Sequence, residues 1–189
     1  MNTTPSQTVG PFFSFCLVTD KCSIRNIAGA QAKGERVLLN CRVLDGDGVG
    51  IPDAIVEIWQ ADVNGIYNHP DDPRQSTADP ECSGFGRMGT NEDGFCEFET
   101  IKPGGVPGLN GETQAPHLNL AIFARGMLKQ LYTRIYFVGD PANEQDQVLA
   151  LIPEQRRVSL MAHADSTKKN GWNLEIHLQG KQETVFFDI

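Results

Sequence analysis

Ala115-Pro116-His117-Leu118-Asn119-Leu120-Ala121-Ile122-Phe123 and, a few residues later, Leu131-Tyr132-Thr133-Arg134-Ile135-Tyr136-Phe137 each alternate along the chain with a period of two. Side chains of an extended segment point alternately to opposite faces. Leu118, Leu120 and Ile122 therefore share one face of the first segment, and His117 and Asn119 the other. In the second, Leu131, Thr133, Ile135 and Phe137 lie on one side and Tyr132, Arg134 and Tyr136 on the other, away from the core. Both segments read as half-buried strands.

Working outward, Arg36–Leu44, Ile55–Gln60, Phe95–Thr100, Leu174–Leu178 and Thr184–Phe187 carry the same β-branched and aromatic character. Nineteen glycines and eleven prolines separate these short runs. This pattern predicts an all-β fold, a β-sandwich with frequent turns, rather than a helical or βαβ chain. Asp45-Gly46-Asp47-Gly48 is a hairpin-type connection, because Gly supplies positive φ and Asp bonds its own backbone. Asn64–Thr90 and Lys102–Pro116 read as long loops of the kind that carry function. A helical pattern covers Asn143–Leu151 and Glu154–Met161, split by Pro153, whose ring stops or kinks a helix. The apolar tail Val185-Phe186-Phe187 is expected to dock on the body.

At 189 residues one domain over 1–189 is expected, since such a chain can bury a sizeable core. No window approaches the roughly 20 consecutive apolar residues of a membrane span. The opening Met1–Gln7 has neither the basic start nor the apolar run of a secretory signal, and a cytoplasmic location is expected. Five cysteines, an odd number without a C-x-x-C pair, suggest reduced structural thiols rather than a zinc site. With a net charge of −8 and no basic cluster beyond Arg156-Arg157 and Lys168-Lys169, a nucleic-acid partner is not expected. Nucleophile-elbow, P-loop, dinucleotide and zinc-protease motifs are all absent.

Tyr67, on the loop after the second strand, fits a hydrogen-bonding residue, a metal ligand or a packed aromatic. His117 and Asn119 have the spacing of a two-nitrogen clamp, but an amide is a poor substitute for imidazole on a transition metal. A hydrogen-bonded structural pair fits them as well. Arg134 between two tyrosines suits recognition of a carboxylate beside an aromatic ring, because guanidinium offers a planar fork of donors. A salt bridge at a chain interface fits equally. His69, His163, His177 and Glu57 read as structural or solvated.

The run Glu57-Ile58-Trp59-Gln60-Ala61-Asp62-Val63-Asn64-Gly65-Ile66-Tyr67 resembles the E-x-W-Q-A-x-x-x-G-x-Y segment of the intradiol ring-cleavage dioxygenases. Phe85-Gly86-Arg87, Thr100–Gly104, Ala115-Pro116-His117 and Leu131–Phe137 agree with that family in order, so the resemblance covers nearly the whole chain. It implies a β-sandwich and O₂-dependent cleavage of an aromatic ring at non-haem ferric iron held by two tyrosines and two histidines. Tyr67 matches the first tyrosine and His117 the first histidine. Val106 stands at the second tyrosine position, Asn119 at the second histidine, and Gln114 replaces an arginine before the histidine pair. Two of four ligands cannot be expected to hold ferric iron, so no catalytic residue and no metal is expected in this chain.

With the opening Thr4-Pro5-Ser6-Gln7-Thr8-Val9-Gly10-Pro11, this set is similar to the iron-free α chain of the two-chain members of the family. Those members act in the β-ketoadipate pathway on 3,4-dihydroxybenzoate and O₂. The resemblance implies that a homologous β chain binds the iron, that α and β units build a larger symmetric oligomer, and that an N-terminal arm of about residues 1–34 contacts the partner. It further implies that Arg134, Thr8, Gly10 and Pro11 line the substrate pocket. The alternatives are a free-standing dioxygenase with an unusual two-ligand site and a non-enzymatic sandwich module binding some other small ligand.

Overall fold

A computed structural model describes Gly10 and residues 13–188. Thr8 and Pro11 lie outside the described residues, and Gly10 is exposed. A short helix α1 (Phe13–Leu17) is followed by β1 (Arg36–Leu44), β2 (Ile55–Trp59), β3 (Phe85–Gly89), β4 (Phe95–Ile101), β5 (Val106–Pro107), β6 (Thr113–Gln114), β7 (His117–Phe123) and β8 (Leu131–Phe137). Helices α2 (Gln147–Ala150) and α3 (Glu154–Arg157) then precede β9 (Met161–Ala164) and β10 (Gly171–His177).

Eight strands form one sheet in the order β3-β2-β7-β8-β9-β10-β1-β4. Short β9 links two halves, running parallel to β8 and antiparallel to β10. The halves fold face to face. Val56 and Ile58 from β2, Leu118, Leu120 and Ile122 from β7, and Ile135 and Phe137 from β8 share one core with Leu39, Cys41, Val43, Phe98, Leu174 and Ile176. Each large apolar side chain so buried stabilises the fold by roughly 1.5–3 kcal/mol. The segment around Ile24–Ala28 stitches the two outer strands together, bridging Arg87 of β3 and Glu99 of β4. The sandwich is thereby closed on that side, and two strand edges gain backbone partners.

Strands β1, β7 and β8 have the boundaries their alternation predicts. Four expectations need correction. The stretch Asn64–Thr90 is not all loop, because β3 lies within it. Its strand character is hidden by Gly86, where a Cβ would sit 2.7 Å from Ile27 Cγ1, so only glycine lets the closing segment approach. Lys102–Pro116 contains the two-residue ladder β5/β6. The expected helices over Asn143–Leu151 and Glu154–Met161 break into a 3₁₀ turn (Pro141–Gln145), α2, α3 and a second 3₁₀ turn (Val158–Leu160), and Met161 opens β9. Asp146 restarts the helix by capping α2, and Pro153, with extended ψ of 133°, separates α2 from α3. Thr184–Phe187 is not a strand and makes one bridge, Phe187 to Tyr132. The tail nevertheless docks, with Phe186 on the main core and Val185 and Phe187 on a second cluster around Tyr136, Leu149 and Leu160.

Candidate functional site

Beside the outer face of β7 and β8 lies a cleft of about 490 Å³, into which the loops after β2 and before β5 bring Tyr67 and Val106. Tyr67 is held by its own loop. Asp62, buried at the end of β2, accepts from Asn64 N, Ile66 N and Asp79 N at 2.8–3.0 Å. Asp72 accepts from Tyr67 N at 3.0 Å and ion-pairs with Arg74 Nη2 at 2.9 Å. Arg74's hydrogen bonds hold the Asp72 carboxyl down at about 2. Gly65 makes the turn, with φ of +71° and its Cα so close to the next loop that a Cβ would fall 1.9 Å from Gly105 O.

The Tyr67 ring lies parallel to Trp59, with centroids 6.1 Å apart, and its hydroxyl accepts from Asn119 Nδ2 at 3.3 Å. Tyr67 bonds to Asn119 rather than to His117. Burial raises the Tyr67 pKa above its ordinary value, which keeps the phenol protonated. Asn119 also reaches Trp59 O at 3.5 Å.

His117 is buried, with Nδ1 2.7 Å from Ala115 O. That carbonyl can only accept, so Nδ1 carries the proton and Nε2 keeps a lone pair. Burial, reinforced by the Arg134 charge, pushes the imidazole down to about 4, so it is neutral near pH 7.

Arg134 stands directly across the ladder from Asn119. Its Nη1 donates to Gln114 Oε1 at 2.7 Å and to Tyr136 Oη at 3.4 Å, both neutral groups. The outward face expected for Tyr132, Arg134 and Tyr136 holds only in part. Tyr132 and Arg134 are half-buried, whereas Tyr136 is fully buried, because the segment carrying α2 and α3 covers that end of β8. Burial pushes the Tyr136 phenol up to about 12, and its hydroxyl donates to Asp146 Oδ1 at 3.2 Å. Asp146 is the joint of this region. Its Oδ1 also accepts from Val148 N and Leu149 N, capping α2, and its Oδ2 accepts from Ala115 N at 2.8 Å. One carboxylate thus fixes a helix start, the chain between Gln114 and His117, and the tyrosine beneath Arg134.

Sequence reasoning missed Asp146 and the Asp72–Arg74 pair. The capping role of Asp146 has a local signal, an Asp ahead of an apolar helical turn, but its bonds to Ala115 and Tyr136 have none. Trp59 and Arg134 also border a second cavity of about 640 Å³, spread over the outer face of β2, β7 and β8 and bounded by Phe85, Tyr132 and Phe187.

The cleft's donor set does not suit ferric iron. Tyr67 and His117 are brought together, but Val106 presents a buried hydrocarbon, and the Asn119 side chain turns an amide N–H toward the Tyr67 oxygen. Ferric iron prefers anionic oxygen and imidazole donors, and neither added position provides one. Among the described residues no cluster of three His, Cys, Asp or Glu side chains has metal-binding geometry elsewhere. Nor is any helix of the described residues long and apolar enough to cross a membrane.

A dioxygenase family model matches residues 8–180. The chain is 37% identical to the protocatechuate 3,4-dioxygenase alpha chain of Burkholderia cepacia, over 98% of this chain and 97% of that protein. The identity to the alpha chain from Pseudomonas putida is also 37%, over 98% and 96% of the two chains. The beta chain from Burkholderia cepacia is 33% identical over 84% of this chain and 70% of its own length. Among solved structures, the dioxygenase domain of a dioxygenase–carbohydrate-binding fusion from Streptomyces sp. SirexAA-E superposes with a TM-score of 0.65 at 21% identity, covering 95% of this chain and 99% of that one. By its whole-length similarity, its sandwich and its place beside both alpha and beta chains, this chain belongs to the intradiol ring-cleavage dioxygenase family.

Proposed function

We propose that this chain is the iron-free subunit of a two-chain intradiol dioxygenase. The enzyme would break the bond between the two hydroxylated carbons of 3,4-dihydroxybenzoate and add one atom of O₂ to each, giving 3-carboxy-cis,cis-muconate. On this reading a homologous β chain binds the non-haem ferric iron, and the two chains assemble in the cytoplasm as symmetric α/β oligomers. The carrying observation is the side-chain set of the cleft, with Tyr67 and His117 present but a hydrocarbon at Val106 and an amide at Asn119. The free-standing dioxygenase is set aside on the same ground.

What this chain contributes is shape and charge, which act through positioning of substrate rather than through bond-making. Arg134, tethered by Gln114 and Tyr136 and bordering the outer groove as well as the cleft, is the residue proposed to meet the substrate carboxylate. Thr8, Gly10 and Pro11 are proposed to line the same pocket from the N-terminal arm. Exposed Phe15 and Leu17 of α1 add apolar surface to that arm for burial against a partner.

Co-expression with an iron-binding β-type chain tests the assignment. A one-to-one α/β complex should purify through size exclusion with the mass of a multimer of pairs. Two chains that elute separately would contradict it.

A further inference from the structure

Three Asn-Gly pairs occur in the chain, at Asn64-Gly65, Asn110-Gly111 and Asn170-Gly171. In such a pair the backbone nitrogen of the glycine, unscreened by any Cβ, can attack the carboxamide carbon of the asparagine. The backbone must turn at the asparagine to bring that nitrogen onto the side chain. A glycine that is packed and hydrogen-bonded resists the turn, and one that is open to solvent does not.

Two of the pairs are held. Gly65 is buried, its N–H donates to Asp62 O at 3.0 Å, and Gly105 O lies where a Cβ would come within 1.9 Å of it. Gly171 opens β10 and is also buried; its N–H donates to Lys168 O at 3.0 Å and its carbonyl accepts from Asp165 N at 2.8 Å. Asn170 is fixed on its other side as well, because its carbonyl accepts from Leu38 N at 2.8 Å.

Asn110-Gly111 differs on each count. Both residues are exposed at the tip of the β5/β6 hairpin, and a Cβ on Gly111 would meet no atom within 4 Å. Among the described residues Gly111 N makes no bond of the kind seen at Gly65 and Gly171. The turn is closed by Glu112 N on Leu109 O at 3.2 Å and by Gly108 N on Glu112 O at 2.8 Å, with φ of 57° at Asn110 and 79° at Gly111. Beneath it lies a ladder of only two residue pairs, Val106 with Gln114 and Pro107 with Thr113. So short a ladder depends on its turn, and consecutive positive φ values are what a tight hairpin turn of this kind requires.

We propose that Asn110 is a site of spontaneous deamidation, and that isoaspartate formed there releases the β5/β6 hairpin. Gly111 N gives its proton to a solvent base and bonds to Asn110 Cγ, the Cγ–Nδ2 bond breaks, and ammonia leaves, which closes a five-membered imide. Water then opens the ring. Cleavage between Gly111 N and Cγ gives aspartate, and cleavage between Gly111 N and the main-chain carbonyl carbon of residue 110 gives isoaspartate. One water is consumed and one ammonia released in all, with no oxidation. Isoaspartate carries the chain through the former side chain, so the turn gains a methylene in its backbone and can no longer keep its pair of φ values. Either product also places a new carboxylate two residues from Glu112, on the hairpin whose Val106 and Pro107 border the cleft.

Storage of the full-length chain at mildly alkaline pH, with peptide mapping by mass spectrometry at intervals, tests the chemistry. The Asn110 peptide should gain the mass of an amide-to-acid exchange and split into two isomeric products, at a rate at least about tenfold above those of the Asn64 and Asn170 peptides. The same mapping in urea removes the fold, and the three rates should then agree within about twofold. Amide hydrogen exchange on the aged, folded sample tests the effect on the hairpin: Gly108 N–H should exchange at least about tenfold faster in the isoaspartate form than in the asparagine form. Asn110→Gln, whose longer side chain closes a ring far more slowly, should stay unmodified at 110 and keep that protection on storage. Equal folded-state rates at the three pairs, faster reaction at Asn64 or Asn170, or an intact Asn110 peptide once the urea sample has reacted fully would overturn the site. Unchanged Gly108 exchange in the isoaspartate form would overturn the release of the hairpin.

Discussion

Asp146→Ala removes the carboxylate on which the cleft's inner wall hangs, and its cost follows from the hydrogen bonds lost. The cap on α2 contributes about 1 kcal/mol. Ala115 N–H and Tyr136 O–H, both buried, would each lose an acceptor at a cost of about 1–3 kcal/mol. Relief of the buried charge's own desolvation offsets part of this, leaving a net loss of about 2–4 kcal/mol. For a chain of this size the midpoint of thermal unfolding should fall by roughly 5–15 °C. Urea unfolding followed by tryptophan fluorescence measures the loss directly, and Trp59 reports on the cleft itself. Asp146→Asn keeps a capping oxygen but turns an N–H toward Ala115 N–H, so it should lie between wild type and alanine. If Asp146→Ala unfolded within about 0.5 kcal/mol of wild type, the bonds drawn from Asp146 to Ala115 and Tyr136 would not be holding the region, and the account of Arg134's support would fail.

Three further outcomes are expected. Neutral His117, with a folded pKa of about 4 against 6.5 unfolded, binds its proton less readily in the native state, so stability should decline as pH falls from about 6.5 to about 4, by up to about 3 kcal/mol. The slope should vanish in His117→Gln, whereas the paired Asp72, titrating near 2, loses its contribution only below the ordinary carboxylate range. Gly65→Ala should destabilise by at least roughly 1–3 kcal/mol from the left-handed backbone alone, with the contact on Gly105 O adding to it, and a thermal scan at wild-type midpoint would refute the close approach. In the α/β complex, Arg134→Ala should lower kcat/KM for 3,4-dihydroxybenzoate roughly ten- to a hundredfold, mostly through KM, with normal iron content. An unchanged KM would make Arg134 an interface or surface residue.

The sandwich was legible wherever one face of a strand is buried and the other is not, because burial then writes itself as alternation. Strands β7 and β8 are read correctly to the residue for that reason. Strand β3 was not legible, since the close approach of Ile27 requires glycine at 86 and so removes the side chain that would have signalled a strand. The faces of β8 were legible but their cover was not. Period two places Tyr136 beside Arg134, yet only the tertiary position of Leu149 and Leu160 makes it a buried residue. At the site, the family resemblance grouped Tyr67, Val106, His117 and Asn119, and strand alternation singled out Arg134; Tyr67, Val106, His117 and Arg134 border the cleft, and Asn119 reaches it through the Tyr67 hydroxyl. The hydrogen bonds that hold them were hidden, because Asp146 lies 31 positions from Ala115 and the sequence between them carries no trace of the pairing.

Iron determination on two samples tests the central claim most directly: the chain purified alone, and the chain assembled with a β-type partner, each assayed for O₂ uptake on 3,4-dihydroxybenzoate. The account predicts no stoichiometric iron and no uptake for the chain alone, and one iron per α/β pair with ring cleavage for the complex. One tightly bound iron per chain with turnover in the absence of any partner would contradict it, because Val106 and Asn119 would then have to be replaced by donors that the cleft does not contain.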